Sequence, residues 1–133
     1  LVLSNLVAIH QKTGIGRLSA YCGAVSAGAA AGAGIAYLCG GGYEEVIHTV
    51  VNALAIVSGM VCDGAKASCA AKIASSVDAG ILGYNMYLRG QQFYAGDGIV
   101  TKGVEATIQN IGRLGKDGMK ETNEEIIKMM ISD

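Results

Sequence analysis

The absence of proline is the feature that most constrains the fold of this chain. None of its 133 residues is proline, whereas 20 are glycine. Because proline interrupts helices, a chain without it can form long helical segments, and the scarcity of alternating apolar and polar residues argues against strands. Glycine and polar pairs are then the breaks between helices. We therefore predict an all-α fold, a compact multi-helix domain.

The apolar residues are mostly small. The chain is 51% hydrophobic but only 5% aromatic, so Ala, Val and Ile supply most of its apolar content. Small side chains let helices approach closely. At 133 residues the chain has the size of one ordinary domain, and we expect residues 1–133 to form a single all-α domain. It begins within an apolar periodic pattern and without an initiator methionine, so we expect a fragment of a longer protein.

The Ala/Gly-rich segment from about residue 19 to 38 is predicted to be the central helix. Gly23, Ala27 and Ala31 recur four residues apart, and Gly28 and Gly32 form a second such row. Faces of this kind admit a neighbouring backbone. The predicted helices cover about residues 1–11, 19–38, 43–61, 66–88 and 102–114, and a last helix begins after residues 121–123 with Thr122 as its N-cap.

Charge and hydropathy argue against two classes of partner. A formal net charge of −1 without a basic stripe leaves little to neutralise a phosphate backbone, so we predict no nucleic acid. Residues 23–39 and 46–62 are uncharged except near their ends, but each stretch is at the short limit for spanning a membrane. The first is largely Ala and Gly, and the second contains His48 and Asn52. We therefore predict buried helices and no membrane partner.

Cysteine usage indicates a reducing compartment. The chain has four cysteines, no CxxC pair and no signal peptide, a pattern unlike the disulfide framework of a small secreted protein. We accordingly expect a cytoplasmic protein. The glycine-rich stretches at residues 14–19 and 28–34 lack the residues and the preceding strand of a phosphate-binding loop, so close packing explains them better than a nucleotide site.

The stretch between Cys62 and Cys69 is the most informative for chemistry. In an unbroken helix these residues would lie about 10.5 Å apart along the axis, too far for one small metal centre. A turn at Asp63-Gly64 would place Cys69 in the first turn of the next helix and bring the two cysteines together. The helix dipole and Lys66 would both favour thiolates there. Spacing alone leaves open buried structural cysteines, a metal or cluster site, and a redox pair.

Three other side chains are candidates for catalysis. His10 and His48 are the only histidines, and neither belongs to a Ser-His-Asp or HExxH pattern. A partly buried histidine is the simplest interpretation of each, although His is the commonest acid–base residue. Lys66 lies between two candidate ligands, where it would have an electrostatic role, and its alternative is a solvated surface lysine.

Three stretches of the sequence carry a resemblance to a known family. They are Gly59-Met-Val-Cys62-Asp-Gly-Ala-Lys66-Ala-Ser-Cys69-Ala-Ala-Lys72-Ile-Ala, Gly16-Arg-Leu-Ser-Ala-Tyr-Cys22-Gly-Ala-Val-Ser-Ala-Gly28, and Gly118-Met-Lys-Glu-Thr-Asn123 with Ile126, Ile127 and Met129. These stretches resemble the L-serine dehydratase alpha chain and L-cysteine desulfidase family. The resemblance extends in order along essentially the whole chain. It identifies the chain as similar to the C-terminal part of that family's proteins.

The resemblance implies a [4Fe-4S] cluster held by Cys22, Cys62 and Cys69, with one iron open to substrate, while Cys39 matches no ligand position. The implied activity is α,β-elimination from L-cysteine or L-serine to pyruvate and ammonia, with sulfide from cysteine. Its partners would be the amino-acid substrate and the missing N-terminal part of the same protein, so the fragment alone should be inactive. We also expect a homo-oligomer.

Two departures from the family limit what carries over. Bacterial serine dehydratases of this family separate the second and third cluster cysteines more widely and in some cases end in a cysteine, whereas this chain has a seven-residue step and ends in Ile131-Ser132-Asp133. This favours a desulfidase-like protein. The family's full-length members are also several times longer, so we expect the substrate-binding residues to lie outside the fragment, together with the catalytic base if neither histidine supplies it. A non-catalytic iron–sulfur-binding or regulatory helical module is the alternative function.

Overall fold

Residues 1–132, the part of the chain that this computed structural model describes, contain six α-helices and one π-helical turn joined by loops. They are α1 (Val2–Ile15), α2 (Gly23–Leu38), α3 (Tyr43–Val57), α4 (Ser68–Leu88), α5 (Val104–Arg113), the π-helical turn (Leu114–Gly118) and α6 (Lys120–Ile131). The described residues form no strand, only an isolated antiparallel bridge between Tyr21 and Val61. The all-α prediction is confirmed. None of these helices is both long and apolar enough to cross a membrane.

Helix α2 is central, as its composition predicts. It packs against α1, α3 and α4, and its side chains Val25, Ala29 and Ala33 are fully buried in the main apolar core. Small residues on this helix let three neighbours approach it at once, so that short side chains still exclude water. Leu54 of α3 and Ile111 of α5 complete the same core.

Only one of the two predicted small-residue rows of α2 forms a close helix contact. A Cβ atom added to Gly28 would lie 2.4 Å from the backbone carbonyl carbon of Ser76, and one added to Gly32 would lie 2.7 Å from the Cα of Gly80. These glycines therefore let α2 and α4 touch through their backbones. The prediction that Ala27 belongs to a packed face is wrong, because Ala27 is exposed.

Two predicted helices are shorter than expected, for one shared reason. Helix α2 begins at Gly23 rather than near residue 19, and α3 ends at Val57 rather than near residue 61. The segments just outside these helix ends form the Tyr21–Val61 bridge instead. Backbone hydrogen bonds between segments thus replace the bonds that longer helices would have made.

The predicted start of the last helix is also wrong. Helix α6 begins at Lys120, which places Thr122 within the helix rather than at its N-cap. The π-helical turn directly before it ends at Gly118, and the Met119 N–H donates to the Leu114 carbonyl oxygen at 2.8 Å. The chain therefore enters α6 almost without a break, and no side-chain cap is needed.

Candidate functional site

The Tyr21–Val61 bridge joins the two segments that carry Cys22 and Cys62. The Cys22 N–H donates to the Met60 carbonyl oxygen at 3.1 Å, and the Cys62 N–H donates to the Ala20 carbonyl oxygen at 2.7 Å. Side chains alternate along extended segments, so Cys22 and Cys62, each one residue past the bridged pair, project to the same side. Such diagonal neighbours are about 7–8 Å apart. Cys22 is buried and Cys62 is half-buried.

Cys69 folds back toward the same loop. Gly64 has φ +90°, a conformation suited to glycine, and it turns the chain between Cys62 and the start of α4 at Ser68. Cys69 lies in the first turn of α4, where its thiol lies 3.5 Å from the Gly64 carbonyl oxygen and accepts the Lys66 N–H at 3.5 Å. This is the arrangement that the Asp63-Gly64 dipeptide predicts.

Lys72 is a site residue that the sequence reasoning missed. Its ammonium donates to the Val61 carbonyl oxygen at 2.9 Å and to Oδ1 of Asp63 at 2.6 Å. The hydrogen bond to Asp63 raises the pKa of Lys72, and the charges of Cys22 and Cys69 contribute in the same direction. The signal in the sequence was its position three residues after Cys69, which puts both on one helix face.

Asp63 connects Lys66 of this loop to Lys72 of α4. Hydrogen bonds from Lys66 and Lys72 lower the pKa of Asp63 from 3.8 to about 2, so the group is a carboxylate at neutral pH. The Lys66 ammonium is paired with Asp63 and its side chain is 49% exposed. The structure therefore places Lys66 beside the cysteine loop with its charge already compensated, and an electrostatic role for it stays a prediction.

Cys39 lies apart from the other three cysteines. It caps the C-terminal end of α2 and is exposed, whereas Cys22 is the N-cap of the same helix. A helix of this length puts the two caps about 25 Å apart. All four cysteines are free thiols.

The two histidines lie at other places in the fold. Nε2 of His10 is 2.8 Å from a carboxylate oxygen of Glu105, and this pair links α1 to α5 at the surface. His48 stacks on Tyr87 with ring centroids 4.7 Å apart and lines a cavity of about 280 Å³. Nine residues separate His48 from the end of α3 that faces the cysteines, about 13.5 Å along the axis. Roles for both as acid or base stay predictions.

A groove of about 410 Å³ opens beside Cys62. The end of α1, the segment that precedes α2 and the apolar face of α6 form its walls. Within residues 1–132, no three His, Cys, Asp or Glu side chains are arranged to hold a single metal ion. The site therefore consists of three thiols around a short loop, two lysine ammonium groups paired with Asp63, and an adjoining groove.

Comparisons with known proteins place the chain among longer relatives. The sequence profile of the serine dehydratase alpha chain matches residues 1–128. The chain is 70% identical over 132 residues to a UPF0597 protein of Desulfitobacterium hafniense (99% of this chain, 31% of that protein). It is 58% identical over 132 residues to one of Lachnoclostridium phytofermentans (99% and 32%) and 55% identical over 133 residues to one of Treponema denticola (100% and 31%). The chain thus spans about a third of these relatives. No solved structure matches it.

Proposed function

Since this chain belongs to the serine dehydratase alpha chain family, we propose that it is the cluster-bearing part of an iron–sulfur-dependent amino-acid lyase. The proposed reaction is α,β-elimination: the α-proton and the β-substituent leave the amino acid, and the aminoacrylate formed hydrolyses to pyruvate and ammonia. The chain covers about a third of its relatives, so we propose that it acts together with the rest of a longer protein.

The observation that carries the proposal is the common location of three cysteines. A backbone bridge brings the segments of Cys22 and Cys62 together, and Cys69 contacts the loop that follows Cys62. The remaining cysteine, Cys39, is at the far end of α2. Cys22 belongs to the main apolar core and Cys62 packs against it, but Cys22 also lies at a helix N-terminus, and Lys72 is close to both Cys22 and Cys69, which packing alone does not require.

The donor set fits a [4Fe-4S] cluster. Such clusters are held by thiolates, and helix N-termini and neighbouring cations stabilise thiolates. Cys22 is the N-cap of α2, Cys69 is in the first turn of α4, and Lys72 lies near both. Each thiolate of a cluster binds a different iron, so the three sulfurs need not surround one ion.

Within this proposal, the residues of the chain have separate tasks. Cys22, Cys62 and Cys69 would hold the cluster, which when bound supplies an iron with an open position that acts as a Lewis acid. Lys72 ties the loop at Val61 and Asp63 to α4 and balances thiolate charge. Because His10 and His48 lie elsewhere, we propose that the base that removes the α-proton comes from the rest of the protein.

We propose L-cysteine rather than L-serine as the substrate. The support is the seven-residue step from Cys62 to Cys69, which is shorter than the step in bacterial serine dehydratases. In an anaerobic assay of the full-length protein, sulfide release from L-cysteine should exceed ammonia release from L-serine. A faster reaction with serine would reverse the substrate assignment and leave the lyase proposal standing.

Single cysteine substitutions test the cluster. In the full-length protein purified without oxygen, Cys22→Ala, Cys62→Ala and Cys69→Ala should each abolish the visible absorption and the activity, whereas Cys39→Ala should keep both. A wild-type protein that remains colourless after anaerobic reconstitution would contradict the proposal. A coloured protein that eliminates neither substrate would instead support the non-catalytic iron–sulfur module.

A further inference from the structure

The charged side chains that line the groove beside Cys62 are all positive. Lys12 and Arg17 line it, and within the described residues no acidic side chain does. Within residues 1–132, neither the Lys12 ammonium nor the Arg17 guanidinium forms an ion pair or a hydrogen bond with another side chain. The other two ammonium groups near the cysteines, those of Lys66 and Lys72, are already bound by Asp63. Lys12 and Arg17 are therefore the positive groups left to meet an anion.

The same groove reaches the start of α2. Gly23, the first residue of that helix, lines the groove, and a Cβ there would meet no atom within 4 Å. The first-turn N–H groups of a helix lack partners within the helix, and the helix dipole makes this end positive. An anion in the groove would thus meet backbone donors as well as two cations.

The groove lies directly beside the cysteines. Cys62 lines it, and Cys22 is the residue directly before Gly23. Tyr21 also lines it, whereas the Tyr21 hydroxyl itself is buried from solvent. Ser19 and Asn123 add neutral polar groups to the walls.

We infer that this groove binds the α-carboxylate of the amino-acid substrate, with Arg17 as its principal partner and Lys12 as a second cation. A guanidinium matches the two oxygens of a carboxylate, which a single ammonium does not. Bound in this way, the substrate would extend toward Cys62 and thus toward the proposed cluster. The inference rests on the proposed function, because it takes an amino acid as the ligand.

Calorimetry on the full-length, anaerobically prepared protein tests the inference without turnover. L-alanine serves as the probe because it has no β-leaving group, and ethylamine is its counterpart without the carboxylate. Wild-type protein should bind L-alanine and not ethylamine. Arg17→Gln should raise the Kd for L-alanine about 10- to 100-fold through loss of a charged hydrogen bond, and Arg17→Lys should raise it less. Lys12→Gln should have the smaller effect of a lone ammonium.

The matched control is Arg89→Gln, which removes an exposed arginine at the opposite end of α4 and should leave the Kd unchanged. An unchanged Kd in Arg17→Gln, or no binding of L-alanine by wild type, would overturn the inference. Equal binding of inorganic phosphate would overturn the carboxylate assignment. If Arg17 controls alanine binding but no elimination occurs, the proposed function fails and the carboxylate site stands. If Arg17→Gln catalyses elimination with the wild-type KM, the carboxylate site fails and the proposed function stands.

Discussion

Lys72 and Lys66 lie near the same loop but make different contacts with it. Both bond to Asp63, but only Lys72 also reaches the Val61 carbonyl oxygen and carries a pKa raised in part by Cys22 and Cys69. Lys72 is the less exposed of the two, at 20% against 49%. Its ammonium therefore connects the loop of Cys62 to the helix of Cys69.

At the residue scale we predict that Lys72→Met lowers the iron and sulfide content of the anaerobically purified full-length protein. The variant loses the link between α4 and the loop and removes the cation whose pKa is raised in part by Cys22 and Cys69. It should also speed amide hydrogen exchange at Cys62, whose N–H bonds to Ala20. Chemical analysis for iron and sulfide measures the first effect.

Lys66→Met is the matched control, because Lys66 shares only the bond to Asp63. The cluster content of this variant should equal that of wild type. Its KM for the amino-acid substrate should rise if Lys66 has the electrostatic role that its position suggests. Equal cluster loss in both variants would show that charge in this loop matters without regard to position. Wild-type kinetics in Lys66→Met would make Lys66 a surface residue.

At the scale of elements, the contact between α2 and α4 depends on glycine. Gly28 lies against the backbone of Ser76, and Gly80 lies against Gly32, so two helices approach without side chains between them. The contact has consequences for the site, because Cys22 is at the N-terminal end of α2 and Cys69 at the N-terminal end of α4. The spacing of these helices sets the spacing of two proposed ligands.

We predict that Gly28→Ala destabilises the full-length protein by about 3 kcal/mol, the upper part of the range for overpacking, because backbone atoms at 2.4 Å cannot rotate away. Gly34→Ala on the same helix is the control. A Cβ there would lie 3.4 Å from the Ser4 Cβ, so this change should alter stability by no more than about 1 kcal/mol and in the favourable direction. Urea unfolding compares the two, and equal midpoints would contradict the close contact.

At the scale of the whole molecule, the surface of α1 carries apolar side chains that this chain does not cover. Val2, Leu6 and Ile9 recur at helical spacing and are 74%, 59% and 63% exposed. The relatives are about three times as long as this chain. An apolar helix face of this kind is what a further part of the same protein would bury.

We predict that Leu6→Asp destabilises the full-length protein by about 2 kcal/mol or more, because it would place a charge on the exposed apolar face that we expect the rest of the protein to cover. Gln109→Glu, at an exposed polar position of α5, should change stability by less than about 0.5 kcal/mol. Thermal unfolding of the full-length variants provides the measurement. A Leu6→Asp protein as stable as wild type would mean that this face of α1 stays in solvent.

Local patterns in the sequence were sufficient for the helical class, for the central position of α2 and for the turn at Gly64. Each depends on neighbours within a few residues: helix formers without proline, small residues four apart, and a glycine that can adopt positive φ. The proposed ligands could be named from the sequence only through resemblance, since spacing alone left structural, metal and redox roles open.

Other features depended on contacts between residues far apart in the chain. The bridge of Tyr21 with Val61 shortened α2 and α3, and no local pattern signals a pairing between distant segments. Which small-residue row of α2 is packed was decided by where α4 lies, which is why Gly28 is buried and Ala27 is exposed. The place of Lys72 among the cysteines, and of Arg17 in the groove, followed from the same assembly of helices, because a side chain's electrostatic surroundings are set by tertiary packing.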